Sequence, residues 1–199
     1  NNRHFMQRLV AFYMQHDDSI ARLKAEFPSN SDVYGAKQVH KGDAGVVVDI
    51  GANLGAFTIF TALLHPQMQI ISLEPTPPTY FFFRCNLFLN EIKVLSSRSL
   101  KSKKNSAVLA LHGAAGTEGG TIIEISWDPS KTQNAAAGTN EPSVSAQGWQ
   151  KRTVTRYPIR SYLEGPQVIK IFKIDCEGCD FSVIPGLADI FANKTRVEK

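Results

Sequence analysis

The stretch GVVVDIGANLGAFTIF (45–60) constrains the chain more than any other part of it. GVVVDI is a continuous apolar, β-branched run that ends around Asp49, the pattern of a strand buried on both faces, as in a parallel sheet. GANLG follows at once. AFTIFTALLHP then reads as a helix that ends near Pro66.

The alternation repeats. QIISLEP (69–75) is a second strand, PPTYFFFRCNLFLNEI (77–92) a helix opened by proline in its first turn, and SAVLALHGAAG (106–116) a third strand. Strand, helix, strand, helix, strand implies right-handed crossovers and a doubly wound α/β sheet. TIIEIS (121–126) and VTRYPI (154–159) form an expected antiparallel hairpin insertion. The polar, small-residue stretch between them is expected to be a long mobile loop. VIKIFKID (168–175) is a fourth core strand, and SVIPGLADIFANK starts another helix. Ahead of all this, residues 3–27 carry apolar side chains at helical spacing (Phe5, Leu9, Tyr13, Ile20, Leu23). We therefore divide the chain into an N-terminal helical segment, 1–40, and one domain, 41–199.

The 199 residues suit one ordinary domain, and 43% hydrophobic with 10% aromatic residues supports a real core. A net charge of +4 is too small to argue for a nucleic-acid partner without a concentrated patch. The basic run SSRSLKSKKNS (96–106) has no interleaved aromatics and reads as a solvated loop. No apolar run approaches the roughly 20 residues of a membrane span, and no signal-peptide pattern opens the chain. It begins NNRH without an initiator methionine, so a targeting segment can have preceded it. Cys85, Cys176 and Cys179 leave an odd cysteine under any pairing, which does not resemble a disulfide framework. A reducing, cytoplasmic setting is the expectation.

Chemistry concentrates in two places. The first is Asp49-Ile-Gly51-Ala52-Asn53-Leu-Gly55 between strand and helix, where glycine lets backbone approach a ligand and asparagine tolerates positive φ. Gly51 and Gly55 occupy relative positions 1 and 5, with Asn53 at 3; a dinucleotide fingerprint needs 1, 3 and 6, and position 6 here is Ala56. A nicotinamide-dependent oxidoreductase thus stays open as an alternative. Glu74 closes the second strand 19 residues after Gly55, where an acid accepts hydrogen bonds from two ribose hydroxyls. Its competing role is to cap the helix that begins at Pro75–Pro78. The second place is KIDCEGCDF (173–181), with Asp175 and Glu177 flanking Cys176 at a strand end and Cys179 completing a C-x-x-C.

Taken in order, VVVDIGANLGAFTIF, ISLEP, FFFRCNLFLN, HGAAG and IFKIDCEGCDFSVIPG resemble the FkbM-type S-adenosylmethionine-dependent methyltransferases over about residues 45–190. The resemblance implies a class I, Rossmann-like methyltransferase fold with S-adenosylmethionine (SAM) at the carboxyl ends of the strands. Asp49, Gly51, Ala52, Asn53 and Gly55 would lie around its methionyl part, Glu74 would hold the ribose, and Ala114 and Ala115 would approach adenine. Asp175 and Glu177 match the family's acidic tip. Either acid, or His112, is a candidate base for an oxygen or nitrogen acceptor. Equally, one acid binds the SAM amino group and the other caps the next helix. No metal is required by the pattern. Cys176 and Cys179 fall where the family has small or apolar residues, so a redox or zinc role is disfavoured.

A class I sheet has seven strands and this sequence supplies four, so the C-terminal strands look missing and VIKIFKI would form an uncovered edge for a further segment or an oligomeric partner. The leading expectation is O-methylation of a hydroxyl on a small molecule, sugar or lipid. The alternative from another class is an inactive SAM-binding remnant that serves as an interaction module.

Overall fold

Strand β1 (Gly45–Ile50) is the centre of a four-stranded parallel sheet completed by β2 (Met68–Glu74), β3 (Ala107–His112) and β8 (Ile169–Ile174), in the spatial order β3-β2-β1-β8. The computed structural model describes residues 34–40, 42–95, 107–127, 135–136, 149–163, 167–176 and 178–193. The expected N-terminal helices, the basic run 96–106 and Glu177 lie outside these. Helix α1 (Ala56–Leu64) joins β1 to β2 and helix α2 (Pro77–Leu89) leads from β2 toward β3. Thus β1, β2 and β3 step one way across the sheet while β8 lies on the other side of β1. The reversal between β1 and β8 is where open α/β sheets form ligand crevices at their strand carboxyl ends.

The two faces of the sheet bury separate layers, because successive strand residues point to opposite sides. Val47, Ile70, Val108 and Ile171 pack with Phe57, Ile59, Phe83 and Leu87 of α1 and α2. Val46, Val48, Ile50, Ile71, Leu73, Leu109 and Ile169 pack on the other face. That layer is closed by Ile159 and Leu163, at and just after α3 (Ile159–Tyr162), by Val183 of α4 (Asp180–Gly186), and by Ile190 of α5 (Ala188–Ala192). Ile169 and Ile171 would share a face under strict alternation. An irregularity in the β1–β8 register, opposite Val46 and Val47, sends them to opposite layers. Lys170 stands in that irregularity and pairs with Asp43 at 3.0 Å.

The third strand is shorter than 106–116 suggests. It stops at His112, and Gly113 turns the chain into β4 (Ala114–Gly116), which belongs to a second sheet ordered β4-β7-β5-β6. A Cβ on Gly113 would land on the Thr155 carbonyl, so only glycine lets the chain change sheets at this point. β5 (Ile122–Trp127) and β7 (Gln150–Pro158) run antiparallel, as the sequence predicts, with Ile123 opposite Val154. β4 adds to β7 in parallel. Within the stretch expected to be a structureless loop, the short strand β6 (Ala135–Ala136) pairs with β5.

β8 is an edge of the parallel sheet among the described residues, as its sequence led us to expect. Ala36 is part of the buried layer under α1, and its carbonyl accepts a 2.7 Å hydrogen bond from His65 Nε2 just past that helix. Among the described residues no helix is long and apolar enough to cross a membrane, and no cluster of His, Cys, Asp and Glu could hold a metal ion.

Candidate functional site

Just below the carboxyl ends of the strands runs a buried polar row. Ser72 on β2, Asp49 on β1 and Lys173 on β8 are register partners on the face covered by α1. The Thr58 hydroxyl of α1 donates to Asp49 Oδ2 at 2.6 Å, so it accepts from Ser72 Oγ at 2.7 Å. Lys173 Nζ donates to Asp49 Oδ1 at 3.0 Å and to the Gly51 carbonyl at 3.0 Å, with Asp175 Oδ2 3.8 Å away. Asp49 is fully buried. Burial pulls the Lys173 ammonium down, but the charge and hydrogen bond of Asp49, aided by Asp175, more than offset it, so the net shift is upward. Asp49 therefore spends its carboxylate on Thr58 and Lys173 and shapes the turn above it through the lysine.

That turn is pinned from both sides. The Gly51 and Ala52 amides donate to the Leu73 carbonyl at 3.0 and 2.8 Å, and Gly51, Asn53 and Gly55 all have positive φ, at 77°, 52° and 85°. The glycines serve the protein's own closure. A Cβ on Gly51 would strike the Asp175 carbonyl, and one on Gly55 would strike the Phe83 ring. Gly51→Ala is thus expected to cost at least about 1–3 kcal/mol from the left-handed conformation alone, read as a lower urea midpoint. An unchanged midpoint would show that the turn yields freely.

Glu74 is buried at the end of β2. Its Oε2 accepts the Asn53 N–H at 2.9 Å and its Oε1 accepts the Thr76 N–H at 2.8 Å. Thr76 is the N-cap residue of α2, so the helix-capping role and the link to the glycine turn coexist in one carboxylate. Burial raises Glu74 above the usual glutamate range, and the amide bonds only partly oppose it. Each carboxylate oxygen keeps a lone pair for a further donor.

The remaining predicted residues separate. Asp175 is exposed at the tip of β8, with its amide donating to the Ile50 carbonyl at 2.9 Å. His112 ends β3 as the register partner of Glu74 and stacks on Tyr80, with ring centroids 4.7 Å apart. Burial lowers its pKa, opposed by a hydrogen bond with the Pro75 backbone. β2 and β1 stand between β3 and β8, so at about 4.8 Å per strand the two ends are roughly 14 Å apart. His112 thus adjoins Glu74 and is not a neighbour of Asp175 or of Cys176. Ala52 packs into the layer beneath α1. Ala114 packs with Ile125, Trp127 and Val154, and Ala115 packs into the layer under α3 and α4.

Two participants escaped the sequence reading. Lys173 lies inside VIKIFKID, which reads simply as a core strand. A lysine in a strand buried on both faces requires a counter-charge, and Asp49 at the same level was the available signal. Tyr34 has no such signal: its hydroxyl makes a long 3.4 Å hydrogen bond to Asp175 Oδ2, its ring lies 5.2 Å from Lys173 Nζ, and it meets Phe57 edge-on. The expectation that the three cysteines do not form a disulfide framework is also corrected in part, since Cys176 and Cys179 are bonded to each other. Three residues of separation across the turn after β8 bring their Cα atoms to 5.5 Å, within disulfide reach.

The chain is 26% identical to Methyltransferase 1 of Beauveria bassiana (strain ARSEF 2860) over 151 residues, 74% of this chain and 60% of the relative. It is 40% identical to Methyltransferase sdnD of Sordaria araneosa over 45 residues, 23% of this chain and 17% of the relative. The chain thus spans less than two thirds of the length of either curated relative. No solved structure matches it. The profile of the methyltransferase FkbM domain matches residues 49–198, from the buried aspartate of β1 through the acidic tip of β8 and beyond, and the chain belongs to that family.

Proposed function

We propose that this chain binds SAM and transfers its methyl group to a hydroxyl of a small molecule, sugar or lipid. The observation that carries the reading is the Glu74 carboxylate, buried and held by the Asn53 and Thr76 amides where the glycine turn meets β2. The donor set fits the group: an acceptor-only carboxylate with spare lone pairs suits a ribose diol. When bound, SAM supplies an electrophilic methyl on a sulfonium.

The chain's own residues do the rest. Glu74 holds the ribose, and the backbone of Gly51, Ala52, Asn53 and Gly55, fixed by Leu73 and Lys173, surrounds the methionyl part. Asp49 acts through Lys173 as a positioning residue. Ala114 and Ala115 contribute backbone near the adenine, their methyl groups being used in packing. Asp175, at the rim and within reach of Tyr34, takes the amino group of the donor or the proton of the acceptor hydroxyl. Of the two candidate bases with a described position, Asp175 stands at the β1–β8 crevice, whereas His112 lies beside Glu74 on the ribose side. Glu177 stays a candidate by its place in the family pattern.

Calorimetric titration with SAM, S-adenosylhomocysteine (SAH) and NAD tests the reading. Micromolar binding of the first two and none of NAD is expected. NAD binding alone would establish the oxidoreductase alternative. Binding of SAM without methyl transfer to any hydroxyl acceptor would favour a module that binds the donor and does no chemistry.

A further inference from the structure

The Cys176–Cys179 bond spans the turn from β8 to α4, directly after Asp175. Its position ties it to the donor turn. The Gly51 Cα is pressed against the Asp175–Cys176 peptide so closely that an added Cβ would land on the Asp175 carbonyl, with the Cys176 nitrogen 3.4 Å away. On the other side, the Cys179 carbonyl accepts from Ser182 Oγ at 2.9 Å and from the Val183 amide at 3.0 Å, which anchors it to the first turn of α4. The bond therefore fastens the peptide under Gly51 to α4. Gly178, between the two cysteines, has φ of 101° and open space around its Cα, so the turn can relax when released.

A disulfide stabilises a whole fold mainly by closing a long loop, and the loop here is very short. Its consequence is local. Both cysteines are half-buried and pack against the apolar layer under α4. Cys85, on α2, is free.

We propose that Cys176 and Cys179 form a thiol–disulfide exchange site whose two states fix or release the contact between Asp175 and Gly51, and so set donor affinity. The second half rests on the donor reading above. The co-reactant is a dithiol reductant. Its thiolate attacks one sulfur to form a mixed disulfide, and the other cysteine leaves as a thiolate and takes up a proton. The second thiol of the reductant then closes its own disulfide and frees the remaining cysteine. Two electrons and two protons pass to the chain, and a low-molecular-weight disulfide such as oxidised glutathione reverses the step.

The test uses the full chain carrying Cys85→Ser, so that only this pair reacts. Alkylation and mass measurement should find no free thiol after treatment with oxidised glutathione and two after dithiothreitol. Amide exchange at Asp175 and Cys176 should quicken on reduction, and SAH should bind at least about fivefold more weakly, the lower end of ordinary coupling between sites. A C176S/C179S variant of the same chain should match the reduced state and ignore reductant. Equal amide exchange in the two states, or a pair that oxidised glutathione cannot close, would overturn the proposal. Equal SAH affinity in the two states would overturn its second half. If neither state binds SAH, the donor reading fails, and the exchange site stands or falls on the amide data.

Discussion

Lys173→Met is expected to remove about 3–5 kcal/mol of unfolding free energy, the usual cost of leaving one member of a buried ion pair alone. Asp49 has no exposed surface, and without the ammonium its carboxylate would keep only the Thr58 hydroxyl. Against the 5–15 kcal/mol or so of a typical domain, the loss is large. Urea denaturation measures it. The decisive comparison is the K173M/D49N double variant, which removes both charges and should be destabilised by clearly less than the sum of the single variants. Strict additivity would mean that the two groups do not support each other.

The pair also has a pH signature. The pKa of Lys173 is raised in the folded chain, so its contribution is complete below the ordinary value of 10.5 and is lost as pH rises through the folded value. Stability of the unaltered chain should therefore fall more steeply above 10.5 than that of K173M/D49N. Parallel alkaline limbs would assign the shift elsewhere.

The parallel sheet was legible because its strands are buried on both faces and punctuated by glycine turns, so run length and breakers place β1, β2, β8 and the start of β3 to within a residue or two. Glu74 was legible for a similar reason: its role depends on a spacing along the chain. What stayed hidden depends on contacts across it. Lys173 and Asp49 meet only because β8 lies next to β1, a neighbour 124 residues away. Tyr34 reaches Asp175 across 141 residues. The end of β3 at Gly113 was missed because HGAAG is as apolar as the strand before it; what stops the strand there is the Thr155 carbonyl of another element. The cysteine pair was judged by family pattern and by the odd cysteine count, whereas a C-x-x-C needs only a turn that brings the two Cα atoms within reach.

Glu74→Ala is expected to weaken SAH binding by about 10–150-fold, because a hydrogen bond to a charged group contributes roughly 1.5–3 kcal/mol. Calorimetry on the folded variant reads it, and unchanged affinity would take Glu74 out of the ribose role. A pH series separates that role from mere support of the glycine turn. In the free chain Glu74 is raised above 4.5, so the folded state holds its proton more tightly than the unfolded state. Stability from this group is therefore greatest below 4.5 and declines as pH rises through the folded value. Two ribose hydroxyls donating to the carboxylate favour its ionised form and pull the pKa back down, so binding releases a proton in that window. SAH affinity should then strengthen as pH rises from 4.5 through the free-chain value and level off above it. Glu74→Gln should flatten the rise while keeping the shape of the side chain. If the glutamine variant keeps both the affinity and the pH dependence, Glu74 braces the Asn53 turn and caps α2, and the ribose is held by other groups.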